Sequence, residues 1–342
     1  MKIEKVETQV FKGEAGVRDQ LFIRISTDDG FEGIGEAWWG LSVKPVQSAI
    51  ENVLVPQIMG EDSARIEYLW NKMFRHGYRY GTEGILVCGI SGIDLALWDL
   101  LGKRLKVPIA TLFGGTVRDG IKAYASLPRY RQEKLVREEV GKAVEQGFAG
   151  VKLHEYDLDL VAAAIDTAPD GYPIMVDVNG NWTPLEAEDA ALQMADMGVY
   201  WLEEPIFPMQ DHMAMIKLRE RVDLRLAAGE NEYSLEAFNS LMTSGAVDFI
   251  QPEITKIGGL TIARKVSALA DLHNAAICPH SFVIGPSSYA NAHWAFSQMN
   301  MEWMEIPFLP EGLSFPSRTP PLKIVNGRTQ LPEGNGLGVL NS

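Results

Sequence analysis

Short apolar segments recur at regular intervals after Gly120, and segments with helical periodicity separate most of them. Each has the length of a β-strand, and several end in polar residues. Eight such strands, most of them in strand–helix units, predict a parallel α/β barrel. The predicted strands span 121–126, 149–154, 174–179, 199–204, 224–230, 247–253, 275–280 and 301–305.

The residues before Gly120 follow another pattern, which predicts a separate N-terminal unit. A D-D-G turn at 28–30 indicates a hairpin between two of its strands. The last of its helical patterns is apolar on several sides, so we expect that helix to be buried between domains. Three strands are predicted at 3–11, 20–27 and 31–39, and three helices at about 44–57, 63–74 and 84–106.

Composition excludes several classes of protein. The formal net charge is −14 and the pI is about 5.0, which argues against nucleic acid and anionic membranes as partners. The two cysteines, Cys88 and Cys278, suggest no disulfide framework, so we expect a cytoplasmic protein. The N-terminal residues lack a signal-peptide core, and no stretch is expected to reach the ~18–20 apolar residues of a membrane span.

The stretch IMVDVNGNWTP at 174–184 shows how the predicted strands end. Asp177 and Asn179 follow the apolar run, and Thr183-Pro184-Leu185-Glu186 has the pattern of a helix start with a capping box. These two polar residues therefore stand at the carboxyl end of a strand, where α/β proteins bind ligands.

Equivalent polar residues close the other strands. Their separations of 23, 26, 27, 23, 27 and 25 residues each correspond to one strand–helix unit, so they predict a ring at the C-terminal mouth of the barrel. Side-chain alternation directs Trp201 and Glu203 inward and Leu202 outward, which favours Glu203 over Glu204. The ring consists of His154, Asp177, Glu203, Glu230, Glu253, His280 and Glu305.

Three consecutive strands contribute carboxylates: Asp177, Glu203 and Glu230. A lone acid at a strand end more often caps a helix or faces solvent, but three in register favour a metal site. An all-oxygen set suits one Mg²⁺ per subunit, and Mn²⁺ would also fit.

Candidate acids and bases lie on both sides of these carboxylates. Lys152 and His154 share the inward face of the second strand, and His280 closes the seventh. A lone histidine is usually structural, but His280 occupies a ring position. Glu253 is placed to accept a hydrogen bond from His280, which would raise the basicity of the imidazole.

Substrate contacts are predicted beyond the ring. Asn179 shares the face of Asp177, and the polar segment 75–81 is expected to be a loop that closes over the site through His76, Tyr78 and Arg79. A carboxylate substrate suits this set. Removing the proton alpha to a carboxylate creates an enediolate, which a divalent metal and a lysine stabilise while a histidine or lysine takes the proton.

The motifs resemble those of the enolase superfamily, specifically the mandelate racemase subgroup, over essentially the whole chain. They include SGIDLALWDLLGKRLKVPIATLFGG at 91–115, GVKLH at 150–154, MVDVN at 175–179, WLEEP at 201–205, GEN at 229–231, KIGGLT at 256–261, CPH at 278–280 and WMEIPF at 303–308.

The resemblance implies an α+β capping domain (1–115) on a modified (β/α)₇β TIM-like barrel (116–320), with a tail (321–342) that returns to the capping domain. It implies that Asp177, Glu203 and Glu230 hold Mg²⁺. It also implies that His280 is the base and that Glu305 lies near the substrate carboxylate. Barrels of this kind commonly assemble, so we expect a homo-oligomer.

Two positions depart from the usual pattern of the subgroup. Lys152-Leu153-His154 stands where Lys-x-Lys is typical, and Glu253 stands where an aspartate usually pairs with the histidine. The first leaves open whether Lys152 or His154 is the acid/base of the second strand. The second lengthens the carboxylate arm by one methylene.

The first functional hypothesis is dehydration of a sugar acid to a 2-keto-3-deoxy acid. The runner-up is a racemase, epimerase or lactone cycloisomerase that uses the same site. A non-catalytic metal-binding barrel would more often have lost one of the ligands or bases. A metal-dependent hydrolase would more often use histidine ligands or paired metals.

Overall fold

The structure is a computed structural model that describes residues 1–14, 16–38 and 42–339. Its N-terminal part contains a three-stranded antiparallel sheet in the order β1-β2-β3. The predicted hairpin is confirmed, since Leu21 pairs with Ala37 and Ser26 with Glu32 on either side of a turn whose Gly30 has φ +83°. The strands are β1 (Ile3–Phe11), β2 (Gln20–Thr27) and β3 (Glu32–Ala37).

Helices follow this sheet, and two of them differ from prediction. The helix expected at 44–57 is interrupted by a π-helical segment at Ile50–Leu54, just before Pro56, which lacks the N–H that an α-helix would use there. The helix expected at 63–74 runs to Gly77 and is followed by a single 3₁₀ turn, Tyr78–Tyr80. The helices are α1 (Lys44–Ala49), α2 (Val55–Ile58), α3 (Ile66–Gly77), α4 (Ile85–Leu105) and α5 (Ile109–Leu112).

The long apolar helix α4 is buried, as predicted. It lies so close to β3 that a Cβ atom on Gly33 would be 2.0 Å from the Ala96 carbonyl oxygen. Among the described residues, α4 alone is long and apolar enough to cross a membrane by length and composition, so the expectation of no such stretch was wrong. The helix is apolar because it lies in the protein interior: 89% of its apolar 18-residue window is buried.

Eight parallel strands form the predicted barrel, and pairing of the last with the first closes it. The strands are β4 (Ile121–Ser126), β5 (Gly150–Leu153), β6 (Ile174–Asp177), β7 (Trp201–Glu203), β8 (Leu226–Ala228), β9 (Phe249–Ile250), β10 (Ala276–Ile277) and β11 (Trp303–Pro307). The helices between them are α6 (Glu133–Glu145), α7 (Leu158–Thr167), α8 (Pro184–Met197), α9 (His212–Arg219), α10 (Leu235–Ser244), α11 (Gly259–His273) and α12 (Pro286–Phe296).

Large side chains fill the barrel interior below its C-terminal mouth. They form a buried layer of Tyr124, Met175, Trp201, Ala227, Phe249, Cys278 and Trp303. Leu202 packs in the separate outer core, so the predicted alternation on β7 is confirmed. The capping box of α8 is also present at Thr183 and Glu186, and both cysteines are free.

The C-terminal segment contacts both parts of the chain. A short hairpin of β12 (Ile324–Val325) and β13 (Arg328–Thr329) adds to the start of β4. Further on, the Leu337 amide donates to Asp99 of α4 at 2.8 Å. The domain boundaries predicted above stay predictions, and residues 340–342 of the predicted tail lie outside the described residues.

One buried carboxylate joins the N-terminal sheet to the barrel. Glu36 of β3 accepts hydrogen bonds from the Ser287 amide (3.0 Å) and hydroxyl (2.6 Å) in the first turn of α12, and from Gln20 Nε2 (2.8 Å). A Cβ atom on Gly285 would lie 2.3 Å from Glu36 Oε2. The N-terminal part therefore supplies the cap of a barrel helix whose own N-cap residue has no side chain.

Candidate active site

Three carboxylates meet at the mouth of the barrel. One oxygen from each of Asp177, Glu203 and Glu230 lies within 4.8 Å of the others, and all three residues are buried. Asp177 and Glu203 are paired neighbours at the ends of β6 and β7. Glu230 follows β8 after Gly229, whose φ of +130° is one that L side chains rarely adopt. The ring spacing predicted this convergence.

Neighbouring side chains orient these carboxylates. Asn179, predicted to contact substrate, makes two hydrogen bonds to Asp177. Its backbone N–H donates to Asp177 Oδ1 (2.9 Å), and its side-chain Nδ2 donates to Oδ2 (3.1 Å). Trp201 Nε1 donates to Glu203 Oε2 at 3.2 Å. Asn179 therefore holds Asp177 in place, and its contact with substrate stays a prediction.

Lys152 lies among the acids with its side chain fully buried. Its Nζ donates to Glu203 Oε1 at 2.8 Å and lies 2.9 Å from Glu305 Oε1 and 3.5 Å from Asp177 Oδ2. Burial lowers the pKa of Lys152, but the charges of Glu203, Glu305 and Asp177 outweigh it and raise the pKa well above its ordinary value. The ammonium is thus a fixed positive charge beside the carboxylates.

His154 lies on the Asp177 side of the three acids. Its Nδ1 donates to the Leu127 carbonyl oxygen at 2.6 Å, and its Nε2 lies 3.3 Å from Asp177 Oδ2. Burial lowers the pKa of His154, but the hydrogen bond and charge of Asp177 raise it above the ordinary value overall. The backbone contact fixes the ring so that Nε2 faces the site.

His280 lies on the opposite, Glu230 side. Its Nδ1 donates to Glu253 Oε2 at 2.7 Å, and its Nε2 lies 2.8 Å from Glu230 Oε2. Glu253 is itself fixed, because its Oε1 accepts from the Thr255 amide (2.9 Å) and hydroxyl (2.7 Å). Burial lowers the pKa of His280, but Glu230, Glu305 and Glu253 raise it well above the ordinary value. The longer arm of glutamate still forms the expected pair.

Glu305 completes the ring from the middle of β11 (Trp303–Pro307), because that strand runs two residues beyond the predicted end at 305. Its Oε2 accepts from the Ser281 amide at 2.8 Å, next to His280. Burial raises the pKa of Glu305, but Lys152 and His280 outweigh it and lower the pKa to about 2. Glu305 is therefore held in its carboxylate form between Lys152 and His280.

The chemistry of the acidic cluster fits a divalent cation. Burial and the neighbouring carboxylates raise the pKa of Glu203, despite the opposing charge of Lys152. Mutual repulsion between these oxygens would be relieved by a hard divalent ion, which prefers carboxylate ligands. The cluster is formed by the three residues that the sequence singled out as ligands.

The segment 75–81, which was predicted to be a loop that closes over the site, has a different structure from the one expected. His76 lies in the last turn of α3, not in a loop, because that helix extends to Gly77. Tyr78 and Arg79 lie in the 3₁₀ turn that follows, where Arg79 Nε donates to the Tyr78 hydroxyl at 3.3 Å. Tyr78 is 50% exposed. Contact of these three residues with substrate stays a prediction.

Four residues of the site region were not identified from the sequence. Glu204 is buried beside the ligand cluster with a left-handed φ of +43°, and burial raises its pKa well above the ordinary value. Asn231 donates to Glu204, Lys256 donates to Asn231, and Trp38 packs over Lys256. The acidic pair Glu203-Glu204 was the one sequence signal for Glu204. Asn231 and Lys256 stand in the GEN and KIGGLT motifs, and Trp38 near the end of the strand predicted at 31–39, but none of these patterns indicated that the three side chains meet.

Comparison with known proteins defines the class of this site. Residues 10–114 match the family described as "Mandelate racemase / muconate lactonizing enzyme, N-terminal domain", and residues 135–340 match "Enolase C-terminal domain-like". The chain belongs to the mandelate racemase / muconate lactonizing enzyme family of the enolase superfamily. It is an enzyme with the fold that the resemblance implied.

Individual relatives are named for their reactions. The chain is 33% identical to "Arabinonate dehydratase" of Saccharolobus solfataricus, over 92% of this chain and 86% of the relative. It superimposes with a TM-score of 0.91 and 30% identity on a 3,6-anhydro-D-galactonate cycloisomerase from Zobellia galactanivorans, covering 99% and 96% of the two chains. A racemase from Streptomyces coelicolor A3(2) with bound magnesium gives a TM-score of 0.90 at 26% identity, covering 99% and 97%. Family and acidic cluster together indicate a divalent metal in this protein.

Proposed function

We propose that this protein is a Mg²⁺-dependent sugar acid dehydratase, a lyase that converts its substrate into a 2-keto-3-deoxy acid. The observation that carries the proposal is the position of the two imidazoles. His154 Nε2 and His280 Nε2 flank the acidic cluster, 3.3 Å from Asp177 and 2.8 Å from Glu230 respectively. An acid/base is thereby available on each side of a substrate placed over the three carboxylates.

The chain's own residues account for the proton transfers. His280, paired with Glu253, takes the proton from the carbon alpha to the carboxylate, and Lys152 places a positive charge near the enediolate that forms. His154, or the protonated His280, then gives a proton to the 3-hydroxyl, which leaves as water. The enol tautomerises to the 2-keto-3-deoxy acid. When bound to Asp177, Glu203 and Glu230, Mg²⁺ would stabilise the developing negative charge, and Mn²⁺ would fit the same oxygens.

A second candidate function uses the same first step. Acid/base groups on both sides could return a proton to the other face, as a racemase or epimerase does, or support lactone cycloisomerisation. Similarity to the cycloisomerase from Zobellia galactanivorans favours keeping this candidate. A cytoplasmic location and assembly into a homo-oligomer stay predictions.

The test is proton exchange and product analysis in D₂O. We would incubate the Mg²⁺-loaded protein with a library of mono- and diacid sugars and identify products by NMR. We expect a 2-keto-3-deoxy acid, with activity lost in EDTA and restored by Mg²⁺. His280→Asn should abolish the reaction, whereas His273→Asn, at the end of α11, should retain it.

Other outcomes would overturn the proposal. Deuterium at C2 or inversion there, with no loss of water, would show a racemase or epimerase. A product isomeric with an added lactone would show a cycloisomerase. Absence of exchange with every acid, despite bound metal, would contradict enolisation altogether.

A further inference from the structure

A buried lysine outside the ring lies behind the third carboxylate of the cluster. Lys256 is 3% exposed, and its Nζ donates to the Glu230 carbonyl oxygen at 2.9 Å and to Asn231 Oδ1 at 3.1 Å. The backbone of Glu230 and the side chain of the next residue are thus held by one ammonium group.

Asn231, which Lys256 holds in place, contacts two carboxylates. With its Oδ1 fixed by Lys256, its Nδ2 donates to Glu204 Oε2 at 2.9 Å and reaches Glu230 Oε1 at 3.3 Å. Glu204 has a left-handed backbone conformation, which a non-glycine residue adopts at a cost and keeps only when its surroundings impose it. The amide therefore orients the Glu230 side chain and helps to hold Glu204 in its unfavourable conformation.

The N-terminal part of the chain covers the same lysine. Lys256 Nζ lies 4.1 Å from the centroid of the Trp38 ring, which is a cation–π contact. The Trp38 ring centroid also lies 6.3 Å from that of His280. A single side chain just beyond β3 therefore packs over both Lys256 and the His280 side of the site.

We propose that Lys256 is a positioning residue for Glu230. We further propose that, through Trp38, the position of Glu230 depends on how the N-terminal part packs against the barrel. The inference rests on the proposed function in assuming that Glu230 is a metal ligand. It assigns Lys256 no proton transfer and no contact with substrate.

The direction in which metal affinity changes when Lys256 is neutralised distinguishes a positioning role from an effect of charge alone. A buried positive charge near the site repels a divalent cation, so charge alone predicts tighter metal binding when Lys256 is neutralised. Loss of positioning predicts the reverse, because groups that orient metal ligands typically change metal affinity 10–100-fold. We expect positioning to dominate, since Lys256 makes two hydrogen bonds to the ligand-bearing segment.

The experiment is titration of the metal-free full chain with Mg²⁺ by calorimetry and with Mn²⁺ by EPR. We expect Lys256→Met to weaken binding about 10–100-fold. Lys256→Arg, which keeps charge and donors, should recover most of the affinity. The matched control is Lys265→Met on α11, because the Lys265 side chain is 39% exposed and pairs with Glu67. The metal affinity of this variant should equal that of the natural chain. Unchanged or tighter binding by folded Lys256→Met would overturn the proposal.

The role of Trp38 is tested through Lys256. Trp38→Leu should weaken metal binding severalfold in the natural chain but add little in Lys256→Met, whereas Trp38→Phe should retain affinity. Equal effects of Trp38→Leu in both backgrounds would refute the coupling. If circular dichroism shows that the Lys256→Met variant is unfolded, Lys256→Gln is used in its place for the same comparison of metal affinities.

These measurements use no substrate, so they can fail separately from the proposed function. Normal metal affinity in Lys256→Met, with dehydration by the natural chain, would refute only the positioning role. Weakened affinity without dehydration of any sugar acid would support the positioning role and refute the proposed reaction.

Discussion

The contact between Glu36 and Gly285 predicts a large effect from adding one methyl group. Gly285 has an extended backbone (φ −173°) open to any residue, so only the space beside it requires glycine. The Cβ of Gly285→Ala would lie 2.3 Å from Glu36 Oε2, and that oxygen is already held by both Ser287 donors. Overpacking of about 1–3 kcal/mol, and loosening of a hydrogen bond to a charged group worth about 1.5–3 kcal/mol, together predict a loss of roughly 3–5 kcal/mol.

Urea unfolding of the full chain would measure this loss. Gly141→Ala is the matched control, because Gly141 lies within α6 and an added Cβ meets no heavy atom within 4 Å. We expect that control to gain about 0.5–1 kcal/mol from the higher helix propensity of alanine. In a Glu36→Ala background, Gly285→Ala should have little further effect, since the clash is gone. A loss below about 1 kcal/mol, or the same loss in both backgrounds, would refute the reasoning.

Two further predictions concern pH. Glu253→Gln removes the carboxylate whose hydrogen bond helps to raise the pKa of His280. The acid limb of the kcat/KM profile should therefore move to lower pH, and an unmoved limb would contradict the pairing. Burial lowers the pKa of His293 to about 4, below the ~6.5 of an unfolded chain, so its stabilising contribution is complete above about pH 6.5 and is lost as the pH falls toward 4. Urea unfolding at pH 7 and 5 should show the stability advantage of the natural chain over His293→Gln shrinking by about 2 kcal/mol, and a constant difference would refute this.

The strand-end acids could be predicted because two regularities act on them together. The strand–helix period places Asp177, Glu203 and Glu230 at equivalent points of adjacent strands, and alternation turns them inward. The barrel strands, the hairpin at Gly30 and the cap at Thr183 depend on the same short-range signals, and all were confirmed.

Element lengths were predicted less well. β9 and β10 have two residues each in the ladder, although 247–253 and 275–280 were expected to be strands. Pro252 and Pro279 follow soon after these strands and cannot donate to a ladder, which helps to end regular pairing there.

Contacts between distant segments could not be predicted at all. Glu36 and Ser287 are 251 residues apart, and Lys256 meets Trp38 across a similar separation. Neither periodicity nor a local motif encodes such a pair. Asn231 and Lys256, which hold the Glu230 segment, were therefore assigned no role although the ligand set and Asn179 were identified.

The burial of α4 has a consequence for the order of synthesis. One side of this helix packs on β3, which the ribosome makes first, but its barrel partner α11 begins about 150 residues after α4 ends. At a synthesis rate of roughly 5–20 residues per second, about 8–30 s pass before the partner of that apolar side has been made. During that interval the nascent chain presents a surface resembling a membrane segment, and a chaperone or rapid closure of the N-terminal part must keep it from aggregating.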